Sequence, residues 1–188
     1  MGNLRSVQKA LQFVGAECQI TDQLDQVEKL VIPGVGAFGA AMEKIGPHKE
    51  RLTELALEGV PILGICLGQQ LLFDGSEEHG WQTGLGLIPG KVIYLPRDLG
   101  LKVPHIGWSP ISVTQRFGPL QDVVDGDQVY FVHSLHCVCD DPGDIAATAQ
   151  YGIEFAAAVH RNSIWGMQYH PEKSSKVGLQ MLRRFADC

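Results

Sequence analysis

A single cysteine, Cys66, lies between two glycines in the stretch GICLG, residues 64–68. The apolar run PILGI that precedes it is short and does not alternate, which is typical of a strand buried on both faces in a parallel sheet. The residues that follow, 67–73, have the pattern of the start of a helix. A residue on such a turn projects above the sheet at the N-terminus of the helix, where a thiolate is stabilised. The sequence therefore predicts a nucleophile at Cys66, against the simpler alternative of a small buried cysteine.

A nucleophile needs a base and an orienting group, and the stretch MQYHPEKS, residues 167–174, contains candidates for both. His170 ends an apolar run that is predicted as a strand, and Glu172 follows at position i+2. Positions i and i+2 of an extended segment project to the same side. We therefore expect Glu172 to hold one ring nitrogen of His170 and to leave the other for Cys66. Taken alone, this stretch also fits a strand end with a proline turn and a solvated glutamate.

The stretch IPGVGAF, residues 32–38, is expected to supply the third part of the site. Its glycines and proline follow a short apolar strand, and they leave backbone N–H groups free of competing side chains. Such a loop can stabilise the oxyanion of a tetrahedral intermediate, although a plain turn has the same composition. The loop, the cysteine and the His-x-Glu motif occur in this order, and the combination is far more specific than any one of them.

The elements that must position these residues indicate an α/β fold. Helical spacing of apolar residues predicts a helix over residues 4–14 that ends at Gly15, and a second helix begins at Pro47 and ends at Gly59. Strands are expected at residues 16–20, 30–32, 61–65, 91–94, 111–113, 128–132, 145–149, 155–159 and 164–169, and a closing helix at residues 174–185. We therefore predict one domain over residues 1–188, with a mainly parallel first half and a strand-rich second half that contains antiparallel pairs.

The composition excludes several classes of protein. The chain has 188 residues, of which 45% are hydrophobic and 19% charged, as in an ordinary globular protein. The net charge of −6 and the lack of a basic cluster argue against a nucleic-acid partner or an anionic membrane surface. The sequence has no apolar run of about eighteen residues and no secretory signal. An odd count of 5 cysteines without framework spacing fits a reducing compartment, so a cytoplasmic location is expected.

Seven motifs that cover nearly the whole chain resemble those of class I, triad-type glutamine amidotransferases. They are GNLRSV (residues 2–7), PGVGAF (33–38), GICLGQQLLF (64–73), GLGLIPG (84–90), VPHIGW (103–108), YFVHS (130–134) and HPEKS (170–174). Within that family, PGVG and VPHIGW indicate the glutaminase subunits of imidazole glycerol phosphate synthase. The resemblance implies the open, mainly parallel sheet of that family, a catalytic triad of Cys66, His170 and Glu172, and no metal or organic cofactor.

The resemblance also implies a reaction and a partner. Cys66 would attack the carboxamide of glutamine, and water activated by His170 would hydrolyse the glutamyl thioester. The ammonia would pass to a (β/α)₈ cyclase subunit of a heterodimer, which makes imidazole glycerol phosphate and an aminoimidazole carboxamide ribotide in histidine biosynthesis. The other implied roles are the oxyanion hole at Gly34, Val35 and Gly36, glutamine binding at Gln70, Glu78, His133 and Ser134, and the partner interface at Asn3, Trp108, Tyr130 and Lys173.

The sequence departs from the family pattern in three places. An apolar strand normally precedes GNLRS, whereas this sequence begins at Met1. We therefore expect a sheet that lacks its first strand and leaves neighbouring backbone groups unpaired, and a natural start that lies upstream. Leu135 follows HS where the family usually has tyrosine or another bulky residue, and Ser109 follows GW where asparagine is usual. Both changes lie near the expected glutamine pocket or interface and leave the triad intact.

Three other interpretations stay open at the level of sequence. A Cys-His-Glu triad does not name its substrate, so the residues also fit a cysteine hydrolase of similar fold that acts on peptides. A chain without its first strand also fits a catalytically impaired subunit that only binds its partner; a glutamine-like reagent would label Cys66 in an active enzyme and not in such a remnant. The stretch HSLHCVC, residues 133–139, contains zinc-binding residue types, but it has no Cys-x-x-Cys pair, and alternate residues of a strand face opposite sides.

Overall fold

The computed structural model describes residues 3–188 and confirms the predicted α/β fold. The helices are α1 (Leu4–Phe13), α2 (Phe38–Ile45), α3 (Lys49–Leu57), α4 (Leu67–Leu71) and α5 (Ser175–Asp187). The strands are β1 (Leu30–Gly34), β2 (Ile62–Cys66), β3 (Phe73–Ser76), β4 (Gln82–Thr83), β5 (Ile88–Tyr94), β6 (His105–Val113), β7 (Gln128–His133), β8 (Leu135–Cys139), β9 (Ile145–Tyr151), β10 (Ile153–Arg161) and β11 (Ile164–Met167). Met1 and Gly2, and with them the expectation about the start of the chain, lie outside the described residues.

Two sheets form the framework of the molecule. A seven-stranded sheet has the order β1-β2-β11-β10-β9-β6-β7, and a four-stranded sheet has the order β4-β3-β5-β8. In the larger sheet β1, β2 and β11 are parallel, whereas the pairings from β11 to β7 are antiparallel. Parallel strands end at the same edge of a sheet. The topology therefore brings the ends of β1, β2 and β11 together, although β11 comes from the far end of the chain.

The central strand β2 is buried along its whole length and contributes to apolar clusters on both faces of the sheet. Leu63 and Ile65 pack in a cluster with α1 and α5, which includes Phe185. Ile62 packs on the other face with α2 and the smaller sheet, in a cluster that includes Phe38. Because β2 is paired on both edges and covered on both faces, it is a rigid support for the residue at its end.

The outer edge of β1 pairs with no strand in the described part of the chain. A groove of about 620 Å³ runs beside this edge, and α1, residues 14–21, residues 26–31 and the end of α5 line it. The strand predicted at residues 16–20 is wrong, because this segment has no strand structure. No neighbouring strand supplies the backbone partners that would make it one.

Most other predicted elements are confirmed, with shifted ends. The helix over residues 4–14 corresponds to α1, and Gly15 follows it with φ +95°. The helix predicted from Pro47 begins as a 3₁₀ turn at Gly46–His48 and continues as α3. The prediction missed α2, β3, β4 and β8, which are short or follow directly on another element. Within residues 3–188, every helix is too short or too polar to cross a membrane.

Candidate active site

Cys66 lies on the turn between β2 and α4, with backbone angles of φ 55° and ψ −111°. A positive φ is uncommon for a residue other than glycine and persists only where the surroundings over-determine it. The flanking glycines allow a close approach of the backbone. A Cβ on Gly64 would lie 2.6 Å from the Gly68 carbonyl oxygen, and a Cβ on Gly68 would lie 1.7 Å from the Ile32 carbonyl oxygen. The turn therefore needs glycine at both positions, as the sequence pattern indicated.

His170 and Glu172 form a buried pair beside this turn. The Nδ1 atom of His170 lies 2.8 Å from Oε1 of Glu172, and their side chains are 3% and 0% exposed. The predicted contact is present, but its expected origin in strand alternation is wrong. The strand β11 ends at Met167, and Glu172 lies in the 3₁₀ turn Pro171–Lys173 that follows His170. The turn, rather than the pleat of a strand, folds the carboxylate back onto the ring.

The contacts of His170 favour its charged form. Burial by itself lowers the pKa of His170, but hydrogen bonds with Cys66 and Glu172 outweigh it and raise the pKa to about 9. Burial likewise raises the pKa of Glu172, and the stronger influence of His170 brings it below its ordinary value. The Cys66 thiol also donates to the Val132 carbonyl oxygen at 3.7 Å, on β7.

Asn3, which the resemblance assigned to the partner interface, contacts the His170–Glu172 pair. Its Nδ2 atom donates a short hydrogen bond to Oε1 of Glu172 and lies 3.3 Å from Nδ1 of His170. Asn3 precedes α1 and has φ 83°. The start of α1, which lines the groove, is therefore linked by a hydrogen bond of Asn3 to the carboxylate of Glu172. Sequence spacing gave no signal for this contact, because the two residues are 169 positions apart.

The loop of Gly34, Val35 and Gly36 lies beside the cysteine turn, as expected of a candidate oxyanion hole. Gly34 ends β1 and is the register partner of Cys66 in β2. Gly36 has φ +110°, and Val35 is 41% exposed. Glu78, which the resemblance assigned to glutamine, accepts a 2.5 Å hydrogen bond from the backbone N–H of Phe38 at the start of α2. A carboxylate at a helix N-terminus is stabilising, so Glu78 holds the far end of this loop.

The other residues expected to bind glutamine lie in α4 and at the turn between β7 and β8. Gln70 of α4 is buried, and its Nε2 atom donates to the Leu135 carbonyl oxygen at 3.3 Å and to Oε1 of Gln168 at 3.0 Å. His133 ends β7, and its Nδ1 atom lies 2.7 Å from the same carbonyl oxygen. Burial lowers the pKa of His133 to about 3. Ser134 lies between β7 and β8, half-buried, and its carbonyl oxygen accepts from the Leu95 N–H at 2.9 Å.

Sequence reasoning missed Gln168, which is fully buried one residue beyond β11. Its Nε2 atom faces Sγ of Cys66 at 3.9 Å, while its Oε1 atom accepts from Gln70. The sequence did contain a signal for this role, because a polar glutamine stands within the apolar run at residues 164–169 that precedes the candidate base, His170. A buried amide is expected to be hydrogen-bonded, and here it is bonded between two residues of the site.

The remaining interface candidates form a surface next to the site. Trp108 on β6 and Tyr130 on β7 are register partners, and their rings make an edge contact with centroids 5.8 Å apart. The Lys173 ammonium lies 5.9 Å from the centroid of the Tyr130 ring. Trp108 is 49% exposed, and Ile106 on the same face of β6 is 61% exposed. The backbone of Tyr130 accepts from the His170 N–H at 2.9 Å, so this surface is directly bonded to the catalytic segment.

The stretch at residues 133–139 is organised as strand rather than as a metal centre. Cys137 is buried within β8, and its sulfur accepts a 3.3 Å hydrogen bond from Gln69. Burial raises the pKa of the Cys139 thiol to about 12. Among residues 3–188, no group of three or more His, Cys, Asp or Glu side chains is placed to hold a metal ion.

Comparisons with known proteins agree with this geometry. A family model described as glutamine amidotransferase class-I matches residues 3–187. A protein of Syntrophotalea carbinolica named imidazole glycerol phosphate synthase subunit HisH is 48% identical over 198 residues, which cover 100% of this chain and 96% of that protein. A protein of Halobacterium salinarum with the same name is 45% identical over 197 residues, which cover 100% of this chain and 89% of its own length.

Solved structures show the same fold at low sequence identity. A crystal structure titled glutamine amidotransferase has a TM-score of 0.74 at 16% identity and covers 100% of this chain and 95% of its own. A structure of PurLQS from Thermotoga maritima has a TM-score of 0.72 at 17% identity, and the match covers 99% of this chain and 92% of the other. At these identities the likeness concerns the fold alone.

Proposed function

We propose, from the premise that this chain belongs to the class-I glutamine amidotransferase family, that it hydrolyses glutamine to glutamate and ammonia through Cys66, His170 and Glu172. The observation that carries the proposal is the buried His170–Glu172 pair at 2.8 Å, together with the raised pKa of His170, to which both Cys66 on the strained turn and Glu172 contribute. A thiol, a charged imidazole and an orienting carboxylate are what acyl transfer through a thioester requires.

In the first half of the reaction, the Cys66 thiolate attacks the carboxamide carbon of glutamine. The carbonyl oxygen becomes an oxyanion, for which the N–H groups of the loop Gly34, Val35 and Gly36 are the proposed donors. When the C–N bond breaks, His170 gives its proton to the leaving amine, and ammonia departs. The raised pKa of His170 keeps that proton available at neutral pH.

In the second half, His170 is neutral and takes a proton from water, which attacks the glutamyl thioester. The C–S bond breaks, glutamate leaves and the Cys66 thiolate is restored beside protonated His170. Glu172 keeps Nδ1 of the ring engaged, so that the other ring nitrogen faces the reacting atoms. Gln70, Glu78, His133 and Ser134 are proposed to shape the glutamine pocket, with Glu78 acting through its hold on the loop at residues 34–38. No metal or organic cofactor enters these steps.

We further propose that the ammonia is delivered to a (β/α)₈ cyclase subunit that docks on the surface of Ile106, Trp108, Tyr130 and Lys173. Similar proteins are named as a subunit of imidazole glycerol phosphate synthase, which implies a partner subunit. Exposed aromatic side chains next to a site are typical of a docking surface. The assembled heterodimer would make imidazole glycerol phosphate and an aminoimidazole carboxamide ribotide. The five free cysteines support a reducing location such as the cytoplasm.

The test is glutamate formation from free glutamine, measured with and without a cyclase subunit plus its nucleotide ligand. The chain, its Cys66→Ala variant and a matched Cys188→Ala variant would be compared, since Cys188 is an exposed free cysteine at the end of α5. We expect activity in the chain and in Cys188→Ala, a rise on addition of the cyclase subunit, and none in Cys66→Ala.

Other outcomes identify the alternatives. Cleavage of peptides without cleavage of free glutamine would indicate a cysteine hydrolase of another specificity. Binding of the cyclase subunit without hydrolysis, together with an unlabelled Cys66 after treatment with a glutamine-like chloroketone, would indicate a subunit that only binds. Equal activity in Cys66→Ala and in the chain would overturn the assignment of the nucleophile.

A further inference from the structure

We propose that Gln168 is a positioning residue that aims an N–H donor at the Cys66 sulfur, and that a buried chain of hydrogen bonds from Ser109 on β6 fixes this aim. This inference rests on the proposed glutaminase function. The register of β2 and β11 ends at the pair Ile65 and Met167, so Gln168 follows directly beside Cys66. Its backbone is fixed by a 2.8 Å hydrogen bond from its N–H to the Ala157 carbonyl oxygen.

The orientation of the Gln168 amide follows from its neighbours. A backbone carbonyl only accepts hydrogen bonds, so the Gln70 atom that lies 3.3 Å from the Leu135 carbonyl oxygen is its NH₂ group. The same NH₂ group lies 3.0 Å from Gln168, which must therefore present its oxygen. The NH₂ group of Gln168 is then turned toward the sulfur of Cys66 at 3.9 Å. A donor at this place stabilises a thiolate more than a thiol, because a hydrogen bond to a charged acceptor is the stronger one.

The Leu135 carbonyl oxygen is shared with a second set of hydrogen bonds. His133 places Nδ1 at 2.7 Å from it, so this nitrogen carries the proton. Burial keeps the His133 ring neutral by lowering its pKa, which leaves Nε2 as an acceptor. That atom lies 3.1 Å from Nδ1 of His105, which must donate, and Nε2 of His105 then accepts from the Ser109 hydroxyl at 2.9 Å. The position of each proton is therefore determined in this row of groups, which runs from Ser109 through His105 and His133 to the Leu135 carbonyl oxygen.

Packing holds this row of polar groups in place. His105 and His133 are 3% and 5% exposed, and the His105 ring stacks on Tyr151 with centroids 4.0 Å apart and on Phe131 at 4.9 Å. Buried polar networks are rigid when every member is satisfied. The row begins at Ser109, next to Trp108 on the proposed docking surface, and it ends at the nucleophile. It thereby links the surface of β6 to the surroundings of the thiol through the Leu135 carbonyl.

The test measures the alkylation of Cys66 by iodoacetamide as a function of pH, followed by mass spectrometry of the Cys66 peptide. Gln168→Met keeps the length of the side chain and removes both polar atoms, and Gln12→Met on the exposed face of α1 is the matched control. At pH 7 we expect alkylation about tenfold slower in Gln168→Met, the loss typical of one hydrogen bond to a charged group, with the control unchanged. In glutamine hydrolysis we expect a lower kcat and a KM within about twofold of the parent.

Ser109→Ala removes the first donor of the row without touching the site, and Ser112→Ala on the same strand is its control. We expect Ser109→Ala to slow Cys66 alkylation about threefold and Ser112→Ala to leave it unchanged. An unchanged rate of Cys66 alkylation in a folded Gln168→Met variant would overturn the positioning role, whether or not its KM is raised. If Cys66 alkylation were slower in Gln168→Met but unchanged in Ser109→Ala, the proposed link between Ser109 on β6 and the thiol would be overturned.

The alkylation assay also separates this inference from the proposed function, because it does not require glutamine. If the chain fails to hydrolyse glutamine but Gln168→Met still slows alkylation, the positioning role stands and the proposed function fails. If the chain hydrolyses glutamine and Gln168→Met alkylates at the rate of the parent, the function stands and the positioning role fails.

Discussion

The ends of β2 and β11 and the outer edge of β1 lie in the same sheet and are supported in opposite ways. β2 is buried on both faces and paired on both edges, and it carries Cys66 on a turn that tolerates only glycine at the flanking positions. The outer edge of β1 has no strand partner in the described part of the chain and borders an open groove. The difference indicates that the inner strands hold Cys66 rigidly, whereas the edge region reaches the site through Gly34 at the end of β1 and Asn3 before α1.

The largest effect is expected from Glu172→Gln, which keeps the shape of the side chain and removes its charge. Without the carboxylate, the ring of His170 loses the partner that orients it and stabilises its charged form. We expect kcat to fall about 10²- to 10⁴-fold, as for orienting carboxylates of other triads, and the free energy of unfolding to fall as well, because the buried charged ring loses its partner. Steady-state kinetics measure the loss, with Glu154→Gln on the exposed face of β10 as the control. A change of less than about threefold would remove Glu172 from the triad.

Gly68→Ala tests how tightly the inner strands hold the turn. The new Cβ would lie 1.7 Å from the Ile32 carbonyl oxygen, so the backbone of β1 or α4 must move. We expect the free energy of unfolding to fall by about 3 kcal/mol, measured by urea denaturation. The control is Gly46→Ala, where φ is −55° and the nearest atom lies 4.0 Å away. Equal unfolding midpoints for the two variants would show that the turn is looser than its contacts indicate.

A strand added at the edge of β1 tests the other region. An apolar, β-branched segment placed before residue 1 would pair with β1 and cover the groove, and we expect it to raise the free energy of unfolding by about 2 kcal/mol. A Gly-Ser extension of equal length is the control. Because the edge region contacts the triad through Gly34 and Asn3, and not through the unpaired backbone of β1, kcat should change less than about threefold. A rise of kcat by orders of magnitude would mean that the edge supports the site and that the chain without it is impaired.

The smallest effect is expected in the pH dependence of stability and of ammonia release. Because the pKa of His170 is raised from 6.5 to about 9 in the folded protein, its contribution to stability is complete below about pH 6.5 and is lost as the pH rises through about 9. Release of ammonia should decline over the same alkaline range, since His170 then lacks the proton that it donates. In Glu172→Gln this decline should begin at lower pH. Urea unfolding as a function of pH measures the loss of stability, and ammonia release as a function of pH measures the decline in activity. His48→Gln is the control for both measurements. If ammonia release declined at the same alkaline pH in Glu172→Gln and in the parent chain, the contact with Glu172 would not be the cause of the raised pKa of His170.

The parts of the fold that the sequence predicted are those with a strong local pattern. The helices α1 and α5, the strand β2 and the turn at Cys66 were each indicated by periodicity or by glycine spacing. The prediction at residues 16–20 was wrong because a β-like composition does not form a strand without a neighbour. The strands β3, β4 and β8 were missed because they are short or begin directly after another element. β3 and β8 owe their structure to pairing with β5, and β4 owes its structure to pairing with β3, rather than to any pattern of their own.

The sequence by itself determined the proposed reacting groups and their local setting. GICLG fixes a cysteine on a tight turn because no larger side chains fit beside it, and HPE places a carboxylate next to a histidine because the residues are neighbours. Only the tertiary structure decided which distant groups reach them. The contacts of Asn3 with Glu172 and of Gln168 with Cys66 span 169 and 102 positions. The Gln168 contact follows from the parallel pairing of β2 and β11, and the Asn3 contact from the packing of α1 against the molecule. Both depend on burial of the whole sheet rather than on any short stretch of sequence.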